Sequence, residues 1–208
     1  MIEQPSTARR MSTEQALKLR VNLLKLAGLA ALLGLLMEGL AVVGGAPASL
    51  RALFDHGLWP FTVCAAVGLG QSLVGLWPAR AGAFALVATP TAFLLAKVLQ
   101  KGMSVLVDGA QPGAFIEDNL WLEAGLRAVE YAVLAAALAW LVRQEWAGAL
   151  AHVGLGLVIG LLFGAVIAVF LPPDSLIGWV AEEAVFPAGC SLIVFVSETL
   201  TRFLPETA

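Results

Sequence analysis

Six predominantly apolar stretches, each about as long as the hydrocarbon layer of a bilayer is thick, constrain this chain more than any other feature. They run near 22–43, 58–77, 81–101, 120–142, 147–170 and 184–204. Crossing roughly 30 Å of hydrocarbon takes about 20 helical residues. Inside that layer every backbone N–H and C=O must find its partner within the segment, so the helix is the expected state of all six. Composition agrees: 60% of the 208 residues are hydrophobic and 13% charged, whereas a soluble domain carries about 25% charged residues. The expected fold class is an all-α integral membrane protein whose six transmembrane helices form three antiparallel hairpins.

The expected organisation is a polar N-terminal segment over 1–20, a six-helix transmembrane domain over 21–204 and a short C-terminal tail over 205–208. Ser12-Thr13-Glu14-Gln15 reads as a capping box that opens a helix running into the first span. Arg9-Arg10 is not followed by a short apolar region and a small-residue cleavage site, so no removable leader is expected. Pro78 with Arg80 separates the second span from the third, and Arg143, Gln144 and Glu145 separate the fourth from the fifth.

Lys/Arg bias sets the orientation. Arg9, Arg10, Lys18, Arg20, Lys25, Arg80, Arg143 and Arg202 gather on one side, while Arg51 and Lys101 face an excess of acids on the other. Both termini are expected in the cytoplasm of a bacterial cell, with the chain in the inner membrane. Trp77, Trp140 and Trp146 at one set of span ends, and Trp59, Trp121 and Trp179 at the other, read as aromatic belts. A formal net charge of -3 without any Lys/Arg tract excludes a nucleic-acid footprint. Cys64 and Cys190 lie in apolar stretches and read as small hydrophobes rather than as a disulfide or metal pair.

The three outer connections share a pattern of apolar pair, acid, polar residue and apolar-aromatic step. It recurs in Leu53–Pro60, Phe115–Leu122 and Val180–Pro187, with Asp55, Glu117 and Glu182 spaced 62 and 65 residues apart. Such a period suggests a helical hairpin repeated three times. Asp55, Glu117, Asp118, Glu182 and Glu183 form a set of outer-loop acids.

Ionisable groups inside spans carry the functional information, because each costs a few kcal/mol at mid-bilayer unless paired or hydrated. Glu38, Lys97, Glu123, Arg127 and Glu130, with Tyr131 alongside, fall in the outer half of their spans. Glu123, Arg127 and Glu130 share one helix face by their spacing of four and three. Together these six residues define a candidate polar, outward-facing cavity. Read structurally instead, they are a register-setting network pairing Glu38 with Lys97 and Glu123 with Arg127.

The fifth span places Gly148, His152, Gly156, Gly160 and Gly164 at intervals of four, a face on which another helix approaches closely. His152 reads as a packed side chain on that face. His56 lies in an outer loop on the opposite side, so the two histidines assemble no metal site or catalytic triad. No catalytic residue, metal site or cofactor signature is assigned. Pro90 between Thr89 and Thr91 is expected to kink the third span, the hydroxyls helping to satisfy freed carbonyls.

Three functions compete. The first is translocation of a small solute or ion, carried by a homo-oligomer. The second is a subunit packed among other proteins of a membrane assembly. The third rests on Glu123-Ala-Gly-Leu-Arg127 and the doublet Glu182-Glu183, which resemble pieces of the glutamate motifs of CAAX-type and PrsW-type membrane proteases. That resemblance implies peptide hydrolysis within the membrane. Leu122 stands where the motif has a second glutamate, and the doublet is followed by Ala-Val-Phe-Pro rather than by a basic residue four positions on.

Overall fold

The computed structural model describes residues 78–108, 119–172 and 176–203, together with Gly28, Leu29, Ala31, Leu32, Leu35, Leu58 and Thr62. Apart from those few positions the first two expected spans, with Glu38, lie outside the described residues, as do the loop acids Asp55, Glu117 and Asp118. Four helices are described: α1 (Pro78–Asp108), α2 (Leu120–Leu141), α3 (Ala149–Phe170) and α4 (Leu176–Phe203). The first three are long and apolar enough to cross a membrane. α4 is 28 residues long but carries Glu182, Glu183, Glu198 and Arg202.

Helix boundaries follow local chemistry. α1 starts on Pro78, which the first turn tolerates because that N–H has no intrahelical acceptor. It continues past the expected end at 101 to Asp108, since neither Lys101 nor Gly102 stops a helix and the Ser104 hydroxyl donates to Lys101 O at 2.8 Å. Asn119 precedes α2 and Gly148 precedes α3, neither offering a side-chain cap bond. The turn between α2 and α3 is closed by backbone bonds such as Gln144 N to Leu141 O at 2.9 Å. Trp140 and Trp146 meet there edge to face, with ring centroids 6.3 Å apart. With Trp121 exposed at the opposite end of α2, aromatic residues sit at both ends of the bundle.

α4 begins at Leu176, eight residues before the expected start at 184, so Val180–Pro187 is helical rather than a loop. Glu182 and Glu183 are therefore helix residues, a difference from their expected place among the outer-loop acids. The run from Leu176 holds only Gly178 as a weak point before Pro187, and the helix continues through that proline. Successive helical side chains point about 100° apart, so Glu182 is exposed while Glu183 is buried.

Packing registers show two antiparallel pairs. On the first, Gly82 lies against Ala132 and Ala136, while Phe93 clusters with Leu120 and Ala124. On the second, Gly156 lies against Pro187, Ala188 and Ser191, and Gly164 against Glu183 and Trp179. α2 joins the pairs through its contacts with α3 and, more sparingly, α4. Their shared core gathers Ala81 and Ala85 from α1, Tyr131, Leu134, Ala135, Leu138 and Ala139 from α2, Ile159 from α3, and Cys190, Ile193 and Val194 from α4. Cys190 is a buried free thiol and packs as the small hydrophobe its context implied. The described residues thus form an all-helical bundle of two antiparallel pairs, with three helices of membrane-crossing length.

Pro90 lies inside α1. The Thr91 hydroxyl donates to Val87 O at 3.0 Å, whereas the Thr89 hydroxyl is buried with no hydrogen-bond partner. Proline at position 90 deprives Leu86 O of its usual donor, so neither threonine repairs the carbonyl that the proline leaves open.

Candidate functional site: a buried arginine between two glutamates

The site is assembled where α2, α3 and α4 meet. Arg127 and Glu130, three residues apart on α2, share one face. Nη1 of Arg127 donates to Oε2 of Glu130 at 2.9 Å and to Oε2 of Glu183 at 2.6 Å. Its Nη2 donates to the other oxygen of Glu183, completing a two-pronged grip on that carboxylate. Side-chain exposure is 14% for Arg127, 0% for Glu130 and 3% for Glu183. The Oε1 atom of Glu130 is buried with no hydrogen-bond partner. Two carboxylates thus meet one guanidinium, and one carboxylate oxygen is left unsatisfied.

Backbone geometry explains how an acid reaches this position. Pro187 removes the N–H that would bond Glu183 O four residues earlier. That carbonyl points at Gly160 of α3, where even a Cβ atom would collide with it. A Cβ at Gly164 would stand 2.9 Å from both Cβ and Cγ of Glu183. The stripe Gly156–Gly160–Gly164 is therefore the seat for α4, and the close approach carries Glu183 toward α2. Gly148, the first member of the expected stripe, precedes the helix and has open space around it.

One turn closer to the end where α2 begins, Lys97 of α1 lies 3.6 Å from Oε2 of Glu123. The Lys97 ammonium also stands 5.3 Å from the centre of the Phe93 ring. This pair is partly exposed, at 34% and 24%. Arg127 is four residues beyond Glu123, about 6 Å further along the axis at 1.5 Å per residue. An accessible pair thus stands above a nearly dry cluster. Tyr131 is buried beside the cluster in the shared core.

Glu123, Arg127 and Glu130, expected on one face of α2, all take part in ion pairs. Lys97 pairs with Glu123, and Arg127 pairs with Glu130 and Glu183 rather than with Glu123; Glu38, the expected partner of Lys97, lies outside the described residues. An ion pair four residues apart is the nearest choice on one helix, but a carboxylate brought in by another helix offers bidentate geometry. Glu183 was missed as a member of the cluster; the available signal was Pro187, four residues after a doublet of acids in an otherwise apolar run. Arg127 of the protease-like stretch does meet Glu183 of the doublet, while Glu182 points outward. Among the described residues no three of His, Cys, Asp and Glu stand together as a metal site. No protein-family model, curated protein or solved structure matches the chain.

Proposed function

We propose that this chain is an integral membrane protein that carries protons across the bilayer, with Glu130 as the exchanging group. The observation that carries the reading is the charge imbalance: Glu130 and Glu183 share the single guanidinium of Arg127, and Glu130 Oε1 is buried without a partner. Fully ionised, the cluster is one positive charge short, and an uncompensated buried charge is costly. A proton is the cation that fits, because it needs no cavity and Glu130 is entirely enclosed. Bound at Oε1 it neutralises the cluster and replaces an uncompensated buried charge by an uncharged hydroxyl.

Exchange requires a route to water. The partly exposed Lys97–Glu123 pair on the same side of the bundle supports an approach from the face where α2 begins, which the Lys/Arg bias assigns to the cell exterior. Gain or loss of the proton changes the pull of Glu130 on Arg127, and the prolines inside α1 and α4 mark where helices bend in response. The alternative role as an assembly subunit drew on the glycine face of α3, but Gly156, Gly160 and Gly164 are covered by α4 of the same chain.

The test is reconstitution of the full chain into liposomes loaded with a pH-sensitive dye, under an imposed potassium-diffusion potential. The expected result is dye acidification that Glu130→Gln abolishes and Glu123→Gln slows. Wild-type vesicles no leakier to protons than empty ones, or Glu130→Gln vesicles that acidify at the wild-type rate, would overturn the reading.

A further inference from the structure

Two cations compete for the carboxylate of Glu123. Arg127, the single cation of α2, stands four residues further along the helix. Side chains at that spacing are neighbours, about 5–6 Å apart at Cβ, and an acid on the N-terminal side of a base is the favoured order for such a pair. Glu123 nevertheless pairs with Lys97 of α1, at 3.6 Å. A side chain from another helix thus overrides the local choice.

Lys97 is held in place for that role. Its ammonium stands 5.3 Å from the centre of the ring of Phe93, one turn earlier on α1. Phe93 in turn is buried in a cluster with Leu120 and Ala124 of α2. The Lys97 charge is therefore anchored beside the first turn of α2, where Glu123 lies. Arg127 meanwhile donates to both Glu130 and Glu183. Two carboxylates already share this guanidinium, and a third would compete with them for the same fork.

We propose that Lys97 is a positioning residue: by occupying Glu123 it reserves Arg127 for Glu130 and Glu183. Without Lys97, the Glu123 carboxylate turns to Arg127. Three carboxylates then divide one guanidinium, and the cluster is short of two positive charges instead of one. The consequence for transport rests on the reading of Glu130 as the proton-exchanging group. Neutrality then takes two protons, and exchange of one at Glu130 no longer balances the site.

The experiment follows the Arg127 guanidinium by NMR in the full chain, labelled with heavy-nitrogen arginine in detergent, alongside proton flux in dye-loaded liposomes. The Arg127 signal is the one lost in Arg127→Lys, a variant that keeps a cation in the cluster. Lys97→Met is expected to stay folded, since a partly exposed ion pair contributes little to stability. It should nevertheless move the Arg127 signal and slow flux by roughly tenfold or more. Adding Glu123→Gln removes the competitor. The double variant should return the signal to its wild-type position and carry protons as fast as Glu123→Gln alone, faster than Lys97→Met. Lys97→Arg keeps the charge and should match the wild type in both readouts. A merely structural role for Lys97 predicts instead that the second substitution adds damage. An Arg127 signal unmoved by Lys97→Met, a signal still displaced in the double variant, or a double variant slower than Lys97→Met would each overturn the proposal. A signal that moves and returns in a chain no leakier to protons than empty vesicles upholds the role of Lys97 and removes only the proton reading of Glu130.

Discussion

The two helix pairs solve the same packing problem with different residues. α1 and α2 meet through alanines, with Gly82 against Ala132 and Ala136, and their one described interhelical ion pair, Lys97–Glu123, lies where both side chains keep some exposure. α3 and α4 meet through glycines, with Gly156, Gly160 and Gly164 against Glu183, Pro187 and Ser191. The glycine interface brings backbones closer and admits the open carbonyl of Glu183, and with it a carboxylate that reaches a third helix. Small residues thus serve ordinary close packing in the first pair and the seating of a buried charge in the second.

The largest expected effect separates the pairs by charge. Arg127→Met leaves Glu130 and Glu183 facing each other without a cation and should lower stability by about 3–5 kcal/mol, as breaking a buried pair does. Adding Glu183→Gln to it should restore part of that loss. Unfolding in detergent reads both variants, and an unchanged Arg127→Met protein would mean that the cluster is hydrated rather than dry.

Next comes sterics. Gly160→Ala drives a methyl group into Glu183 O and should cost about 1–3 kcal/mol, the range for overpacking. Gly82→Ala brings its methyl 3.1 Å from Ala132 O, a contact that a slight shift relieves. The first variant should therefore be clearly less stable than the second; equal losses would erase the distinction between the interfaces.

Two smaller effects sharpen the comparison. Gly154→Ala meets nothing within 4 Å and should be neutral or stabilising by up to about 1 kcal/mol, since glycine inside a helix is costly. This control isolates packing from helix propensity. Lys97→Met should change stability by about 0.5 kcal/mol or less, because a partly exposed ion pair contributes little. A loss as large as that of Arg127→Met would show that the accessible pair and the buried cluster act as one unit.

Much of this organisation was legible before any tertiary contact was known. The apolar stretches at 81–101, 120–142 and 147–170 correspond to α1, α2 and α3, because a run of that length and polarity has few alternatives in lipid. The charge face of α2 followed from spacing alone. The helical state of Val180–Pro187 was harder to read: an acidic doublet before an aromatic and a proline resembles a turn, and only the packing of α4 on α3 buries one acid and exposes the other. The repeat inferred from that stretch has its other two acids, Asp55 and Glu117, outside the described residues.

The sequence by itself determined the solvent, the helical state of three spans, the side of the bundle on which Lys97, Glu123, Arg127 and Glu130 lie, and the glycine stripe. These are local properties, set by composition and by the 3.6-residue period. Only the tertiary structure decided that Arg127 grips Glu183, 56 residues away, that Gly160 faces the carbonyl opened by Pro187, and that His152 packs against Phe195. Partner choice depends on how closely two backbones approach and in which register. One helix's pattern states which face is available but not which helix fills it.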